Sequence, residues 1–431
     1  MDIPRKVIVG YDLCDDFTQI SCYSYKTQEP VPIGPWDMGA GSVELGTAEG
    51  KDNRIPTVLC VKADTKQWLF GEEAIACAAN GAGILVEQLL QKVRRNEGVE
   101  LLETQFSAVS LLEKFFRKSL ALIRNHFPTD PITRLVVTVP EPEPELVGRI
   151  YEALSQLGLE KDRALVTSHA GAYLYYALYQ DRNLWMNDVG LFEFNKEGLS
   201  YYQIQINRRS RPMVAGLLKT DLTGEINFGV LSKKEVNPAY LFENAANMVL
   251  HRQLVTTLYF AGKGFEGGWA DEAIKGLCVG RRGFVGQNLF TLGACFAAKE
   301  LSGDVKLQDI LLLNDDMVTT SVGVRVYRDT KYIDFPLLEA GEIWYEAEKE
   351  LEVIPEGEAM LELSLTDIKS GETARQRLRL DGWPGKLDRT TRLGIKLCCS
   401  SRELAVMKVT DLGFGELFPG TGKEMVFTIQ I

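Results

Sequence analysis

The spacing of apolar residues changes near Ser302, and no other feature of the chain limits its fold as much. Before that point, short apolar runs alternate with segments of helical period. After it, apolar residues recur at every second position, as in Leu361, Leu363 and Leu365, or Met425, Phe427, Ile429 and Ile431. Strands that alternate with helices build a sheet covered by helices, whereas a period of two buries one side of an antiparallel strand. The chain therefore divides into an α/β part over 1–302 and an all-β part, expected as a β-sandwich over 324–431. With 431 residues, and about 150 per domain, each part is long enough to bury its own core.

Within the first part, KVIVGYDLCDDFTQISCYSY reads as two strands hinged at Asp12 to Asp16, and the Gly- and Pro-rich residues 30–53 read as a loop. From Glu72 to Phe127 the period is helical, with Leu101, Phe106, Val109, Leu112, Phe115, Phe116, Leu120 and Ile123 as its apolar stripe. ITRLVVTVP is a continuous apolar strand, followed by a helix whose first-turn acids suit the positive end of its dipole. RALVTSHAGAYLYYALYQ predicts a strand running into a helix, and VGLFEFNKEGLSYYQIQI a hairpin that turns at Asn195 to Gly198. A helix over Phe242 to Gln253, the strand TTLYFAG and the helices WADEAIKGLC and LFTLGACFAAKEL complete this part. Between the parts, residues 303–323 hold the run Ile310, Leu311, Leu312, Leu313, which reads equally as a docking linker and as a buried strand.

Charge and composition exclude several functions. Forty-eight Lys and Arg against 59 Asp and Glu give a net charge of −11, which repels phosphate backbones and anionic lipid, so neither nucleic acid nor a membrane surface is an expected partner. No apolar run is long enough to span a bilayer, and the first residues lack a signal-peptide core, so the cytoplasm is expected. The eight cysteines have no CxxC spacing and are expected to be reduced and buried. With three histidines, no HExxH and no local Cys/His cluster, spacing gives no support for a zinc site.

The order of these pieces resembles the seventy-kilodalton heat-shock chaperones, members of the actin-like ATPase superfamily, over nearly the whole chain. GYDLCDDFTQIS stands where that family has its first phosphate loop, and RIPTVLCV with LFGEEA is similar to its next strand pair. RLVVTVPEP and ALVTSHAGAYLYYAL resemble the strand and helix beside the nucleotide cleft, and FAGKGF with LFTLGACFAA the adenosine loop and closing helix. SGDVKLQDILLLND and DLGFGELFPGTGKEMVFTIQI resemble the hydrophobic interdomain linker and the last strands of the peptide-binding β-domain. The resemblance implies a two-lobed actin-like ATPase fold with ribonuclease H-like lobes, then a β-sandwich, with a protein or peptide as client.

It also implies a nucleotide cleft at Asp12, Cys14, Asp15, Asp16, Gly262, Lys263 and Gly264, with Asp12 ordering Mg²⁺ and Lys92 and Glu193 as catalytic groups. The chain departs from the family at several of these positions. Cys14 stands where the family has Gly, Asp15 and Asp16 where it has paired Thr, Ser168 where it has a cleft Glu, and the glycines after Glu193 are replaced by Phe194-Asn195-Lys196-Glu197. Two like charges 4 Å apart repel by about 4 kcal/mol at an effective dielectric of 20, so carboxylates in a phosphate loop oppose a triphosphate. ATP and Mg²⁺ are therefore doubtful ligands, and the expected function is a chaperone-like binding scaffold with a degenerate ATPase site. The alternative is a weak Mg-ATP-dependent ATPase or phosphotransferase.

Other readings are blander. Gly262-Lys263-Gly264-Phe265-Glu266-Gly267 matches GxGxxG, but Arg281 and Arg282 occupy the distance at which a dinucleotide fold places its acid. GELFPGTGKE reads as a hairpin turn and not a P-loop, since Glu424 follows the lysine. Asp15 and Asp16 read as solvated turn residues more readily than as metal ligands. His169 reads as a hydrogen-bonded packing residue more readily than as a general base, and Tyr173, Tyr175, Tyr176 and Tyr179 as core.

Overall fold

A strand with no exposed side chain needs covering on both faces, and VIVGYDL is one: it forms β1 (Val7–Leu13), buried throughout. The structure, a computed structural model, describes residues 6–35, 52–233, 235–356, 360–368, 370–380, 389 and 391–431. The chain folds as two units, Met1–Leu311 and Leu312–Ile431.

In the first unit β1 is followed by β2 (Phe17–Ser24), β3 (Glu29–Ile33), α1 (Leu89–Arg95), β4 (Ile132–Val139), α2 (Pro144–Ser155), β5 (Ala164–Ser168) and α3 (His169–Tyr179). The sheet runs β5-β4-β1-β2-β3, antiparallel through the three-strand meander and parallel where β4 and β5 are added. A second series follows: β6 (Asp188–Asn195), β7 (Gly198–Asn207), β8 (Met213–Asp221), β9 (Val255–Ala261), α4 (Asp271–Leu277), β10 (Arg282–Val285), α5 (Leu289–Leu301) and β11 (Ile310–Leu313). Its sheet runs β10-β9-β6-β7-β8-β11. Apart from β11 this is the same construction again, a meander with two parallel strands on the far side of its first strand.

Two glycines bring the helices into place. A Cβ on Gly10 of β1 would lie 2.2 Å from the Thr291 carbonyl oxygen of α5, and one on Gly293 would lie 2.0 Å from the Ala172 carbonyl oxygen of α3. Any side chain at either position would hold α5 away from β1 or from α3. Tyr173 is buried in the same unit with its ring edge-on to Tyr202 and Tyr259, and Tyr179 stacks on Phe296.

Several boundaries differ from the periodicity reading. The segment from Glu72 to Phe127 is not helical throughout: Leu101 and Phe106 lie in a short hairpin, Val99–Leu101 with Thr104–Phe106. The helix carrying Val109 to Leu120 of the stripe is Ala108–Leu120, started by Ser107, whose hydroxyl accepts the Ser110 N–H at 3.1 Å, and Ile123 falls in the 3-10 turn Ala121–Asn125 that follows. The helix expected over Phe242 to Gln253 is Pro238–Leu250, because the Asn237 side chain caps it and Pro238 opens it. Ile310 to Leu313 are a strand, not a free linker, since pairing at the edge of the second sheet satisfies their backbone groups. Residues 36–51 of the expected 30–53 loop, and Gly357 of the turn expected at Pro355-Glu356-Gly357, lie outside the described residues.

The second unit holds β12 (Thr320–Arg328), β13 (Lys331–Leu338), β14 (Glu348–Val353), β15 (Met360–Asp367), β16 (Thr373–Arg379), β17 (Leu393–Ser401), β18 (Leu404–Asp411) and β19 (Glu424–Gln430). They form two four-stranded antiparallel sheets, β13-β12-β15-β16 and β14-β17-β18-β19. One core takes Val322, Val324 and Leu363 from the first and Ile395, Met407 and Ile429 from the second, the period-two residues of each sheet's inner face. The start of GELFPGTGKE closes a tight hairpin, in which Phe418–Pro419 pair with Gly413–Phe414 just before the segment. Among the described residues no helix is long and apolar enough to cross a membrane.

Candidate functional site

A buried carboxylate demands a partner, and β1 contains one. Asp12 is 2% exposed and sits in register with Thr138 of β4 and Gln19 of β2, so these three side chains share one face of the first sheet. Cys14, two residues on, is also buried.

The partner is His169, the first residue of α3. Ser168 ends β5 and caps α3 by accepting the Gly171 N–H at 3.1 Å, which fixes the start of the helix and hence the imidazole position. His169 Nε2 lies 2.9 Å from Asp12 Oδ1, and Nδ1 lies 2.8 Å from Glu193 Oε1, on β6 of the second sheet. The ring stacks on Phe290 of α5, with centroids 3.8 Å apart. The Tyr202 hydroxyl donates to Glu193 Oε2 at 2.9 Å, and Asn195 Nδ2 donates to Oε1 at 2.9 Å. The Cys14 sulfur lies 3.6 Å from Asp12 Oδ1 and 3.7 Å from His169 Nε2.

Ionised carboxylates only accept, so a ring with a carboxylate at each nitrogen donates from both and is an imidazolium. Burial alone would push His169 down, but Glu193 and Asp12 outweigh it and raise the imidazole to about 10. Burial pushes Glu193 up, but His169, Tyr202 and Lys219 together hold it below its ordinary value. The Cys14 thiol is pushed well up, by burial first and then by Asp12, Asp16, Glu193 and Glu197.

The other expected cleft residues are committed to the protein itself. Asp15 Oδ1 accepts the Gln91 N–H at 3.0 Å; Asp16 accepts the Phe17 N–H at 2.9 Å and pairs with Lys263 at 2.8 Å. They are therefore not simply solvated. Lys263 also sits over the Phe17 ring. Three backbone donors of the expected loops are occupied: Cys14 N–H by the Phe17 carbonyl, Gly262 N–H by Gln287 and Lys263 N–H by Asn195. A Cβ on Gly264 would strike the Phe194 ring at 2.4 Å, so that glycine serves packing. Lys92 is half-buried and does not line the cavity beside Glu193; Gln91 and Arg94 do. Residues 91 and 94 share a face of α1, while 92 is rotated away by about 100°.

That cavity, about 270 Å³, takes Asp15, Glu141, Glu193, Glu197 and Asp221 into its lining against Arg94 and Lys219. Burial, then Asp16, Glu193 and Asp15, raise the Glu197 carboxyl. A hollow of about 730 Å³ bordered by Arg117, Arg124 and Arg163 contains none of these groups.

The donor set around Asp12 does not fit Mg²⁺, which takes oxygen ligands and retained waters in an octahedron. Here the carboxylate faces an imidazole nitrogen and a thiol sulfur, and Glu193 is spent on the far side of the same ring. Sequence spacing did not reveal the cluster because Cys14 and His169 are separated by 155 residues and Asp12 and His169 by 157. The available signal was that His169 opens the helix that directly follows the strand ALVTS.

The chain belongs to the family of unknown function DUF5716, whose C-terminal sequence model matches residues 43–315. A second model, the domain of unknown function DUF8552, matches residues 317–431. No curated protein matches the chain.

Proposed function

We propose that this protein is a chaperone-like scaffold that binds protein or peptide without ATP turnover, on a two-lobed actin-like frame resembling that of the seventy-kilodalton heat-shock chaperones. The repeated strand order of the first unit supports that frame. The observation that carries the reading is His169, which binds Asp12 at 2.9 Å and Glu193 at 2.8 Å and so consumes both carboxylates that a Mg-nucleotide would need. The occupied N–H groups of Cys14, Gly262 and Lys263 and an acidic cavity lining add to it, because an anion would meet fewer donors and an unfavourable field. The client surface is the second unit. Among the described residues β13, β14, β16 and β19 end their sheets and offer unpaired main-chain groups to an extended segment. Eight free cysteines suit a reducing cytoplasm.

The test is binding of a permanently unfolded, reduced and carboxymethylated protein, with and without millimolar Mg-ATP, alongside phosphate release. The expected result is binding that Mg-ATP leaves unchanged and no turnover above background. Nucleotide-driven release of the unfolded protein, or sustained hydrolysis, would overturn it.

A further inference from the structure

We propose that Asp12, Cys14 and His169 form a binding site for a zinc-type divalent ion, with Glu193 orienting the imidazole. The inference does not depend on the client-binding reading. Its ligand atoms are one carboxylate oxygen, one sulfur and one imidazole nitrogen, all buried and all within 4.8 Å of one another.

The spacing is close to that of a bound tetrahedron. With Zn–S of about 2.3 Å and Zn–N and Zn–O of about 2.0–2.2 Å, tetrahedral angles place sulfur about 3.6 Å from both nitrogen and oxygen, and nitrogen about 3.4 Å from oxygen. The observed separations are 3.7 Å for Cys14 to His169, 3.6 Å for Cys14 to Asp12 and 2.9 Å for Asp12 to His169. Only the last edge must open, by about half an ångström on those bond lengths.

The surroundings suit the ion as well. A metal-bound histidine normally donates its other ring N–H to a carboxylate, which fixes the tautomer and raises ligand basicity. Glu193 occupies that position, and is itself held by Tyr202 and Asn195. Phe290 covers the face of the ring. Three protein ligands leave one coordination position for water. On either side of Asp12 in its row, Thr138 Oγ1 and Gln19 Oε1 are buried without a protein hydrogen-bond partner, and so offer contacts to such a water.

The exchange balances. One Zn²⁺ enters, and two protons leave, one from the Cys14 sulfur and one from His169 Nε2. Thiolate and imidazole also select the metal class: they suit zinc and disfavour Mg²⁺.

The experiment uses the full chain, stripped with chelator under reducing conditions and titrated with Co²⁺ as the probe. The expected result is one equivalent bound with a near-ultraviolet thiolate-to-cobalt charge-transfer absorption, displaced by Zn²⁺ and not by excess Mg²⁺. Cys14→Ser should abolish that absorption, Cys278→Ser should leave it intact, and Glu193→Gln should keep it while weakening Zn²⁺ binding about 10–100-fold. Absence of the absorption in the wild type, or its persistence in Cys14→Ser, would overturn the proposal. Should Cys14→Ser fail to fold, X-ray absorption of the zinc-loaded wild type decides: one sulfur with nitrogen and oxygen neighbours supports the site, and a shell without sulfur refutes it.

Discussion

The two units each bury an aspartate at the end of a strand, and they satisfy it by opposite means. Asp12, in the first unit, faces an ionisable partner that links it to a second carboxylate on another sheet. Asp411, in the second, accepts from the Thr391 and Thr421 hydroxyls and the Gly413 and Thr421 N–H groups, all close by in its own unit. Neutral dipoles can only hold a loop, and Asp411 holds the one that carries Gly413–Phe414 and Phe418–Pro419. An ionic partner can be exchanged for another cation. Burial of an acid therefore indicates structure in one unit and a potential site in the other, and the partner makes the difference.

The comparison is tested most severely by removing the exchangeable partner. His169→Ala leaves Asp12 and Glu193 buried with no cation between them, and loss of one member of a buried ionic set costs about 3–5 kcal/mol. Segment-resolved hydrogen exchange should show faster opening in Val7–Leu13 and Asp188–Asn195, with Leu393–Ser401 unchanged; equal loosening of both units would break the distinction. Asp411→Ala removes four accepted hydrogen bonds at once and should cost less, about 1–3 kcal/mol, confined to the second unit and read by denaturant midpoint. Thr421→Val removes one hydroxyl donor and should cost about 1 kcal/mol, on the same measurement.

The smallest effect is one of pH. Burial pushes Asp411 up, but Thr391, Thr421 and Gly413 outweigh it and hold the carboxyl below its ordinary value of 3.8. A depressed carboxyl contributes stability that is present above the unfolded value and lost as pH falls through the folded one. Exchange in β18 should therefore accelerate below about pH 4, and Asp411→Asn should flatten that dependence. A slope unchanged in the variant would remove Asp411 from the account.

Much of the frame was legible because its signals are local. VIVGYDL is apolar but for Asp12, LVVTV within ITRLVVTV is largely apolar, and the alternation in LELSL and MVFTI places one side of each strand inward. Asp12 and Glu193 were reached only through the family resemblance, as the acids it places in the cleft. Their connection was not legible, since His169 reaches both only after two sheets have been brought around α3 and α5, and no spacing rule links residues 157 apart. Lys92 stays out of the cavity lining for a narrower reason: Gln88, with φ of 55°, starts α1 in a left-handed conformation, so the turn that decides which side chain faces the cavity was not encoded in helical period. The Ile310 to Leu313 run was equally consistent with linker and strand, because four apolar residues carry no information about which sheet edge awaits them.

The central claim is that Asp12 and Glu193 are closed on His169 and do not receive a Mg-nucleotide. A crystal structure determined with Mg²⁺ and a non-hydrolysable ATP analogue at saturating concentration tests it most directly. The account predicts His169 still bonded to both carboxylates and no ordered triphosphate beside them. A triphosphate ordered through Mg²⁺ next to Asp12, with His169 turned away, would contradict it.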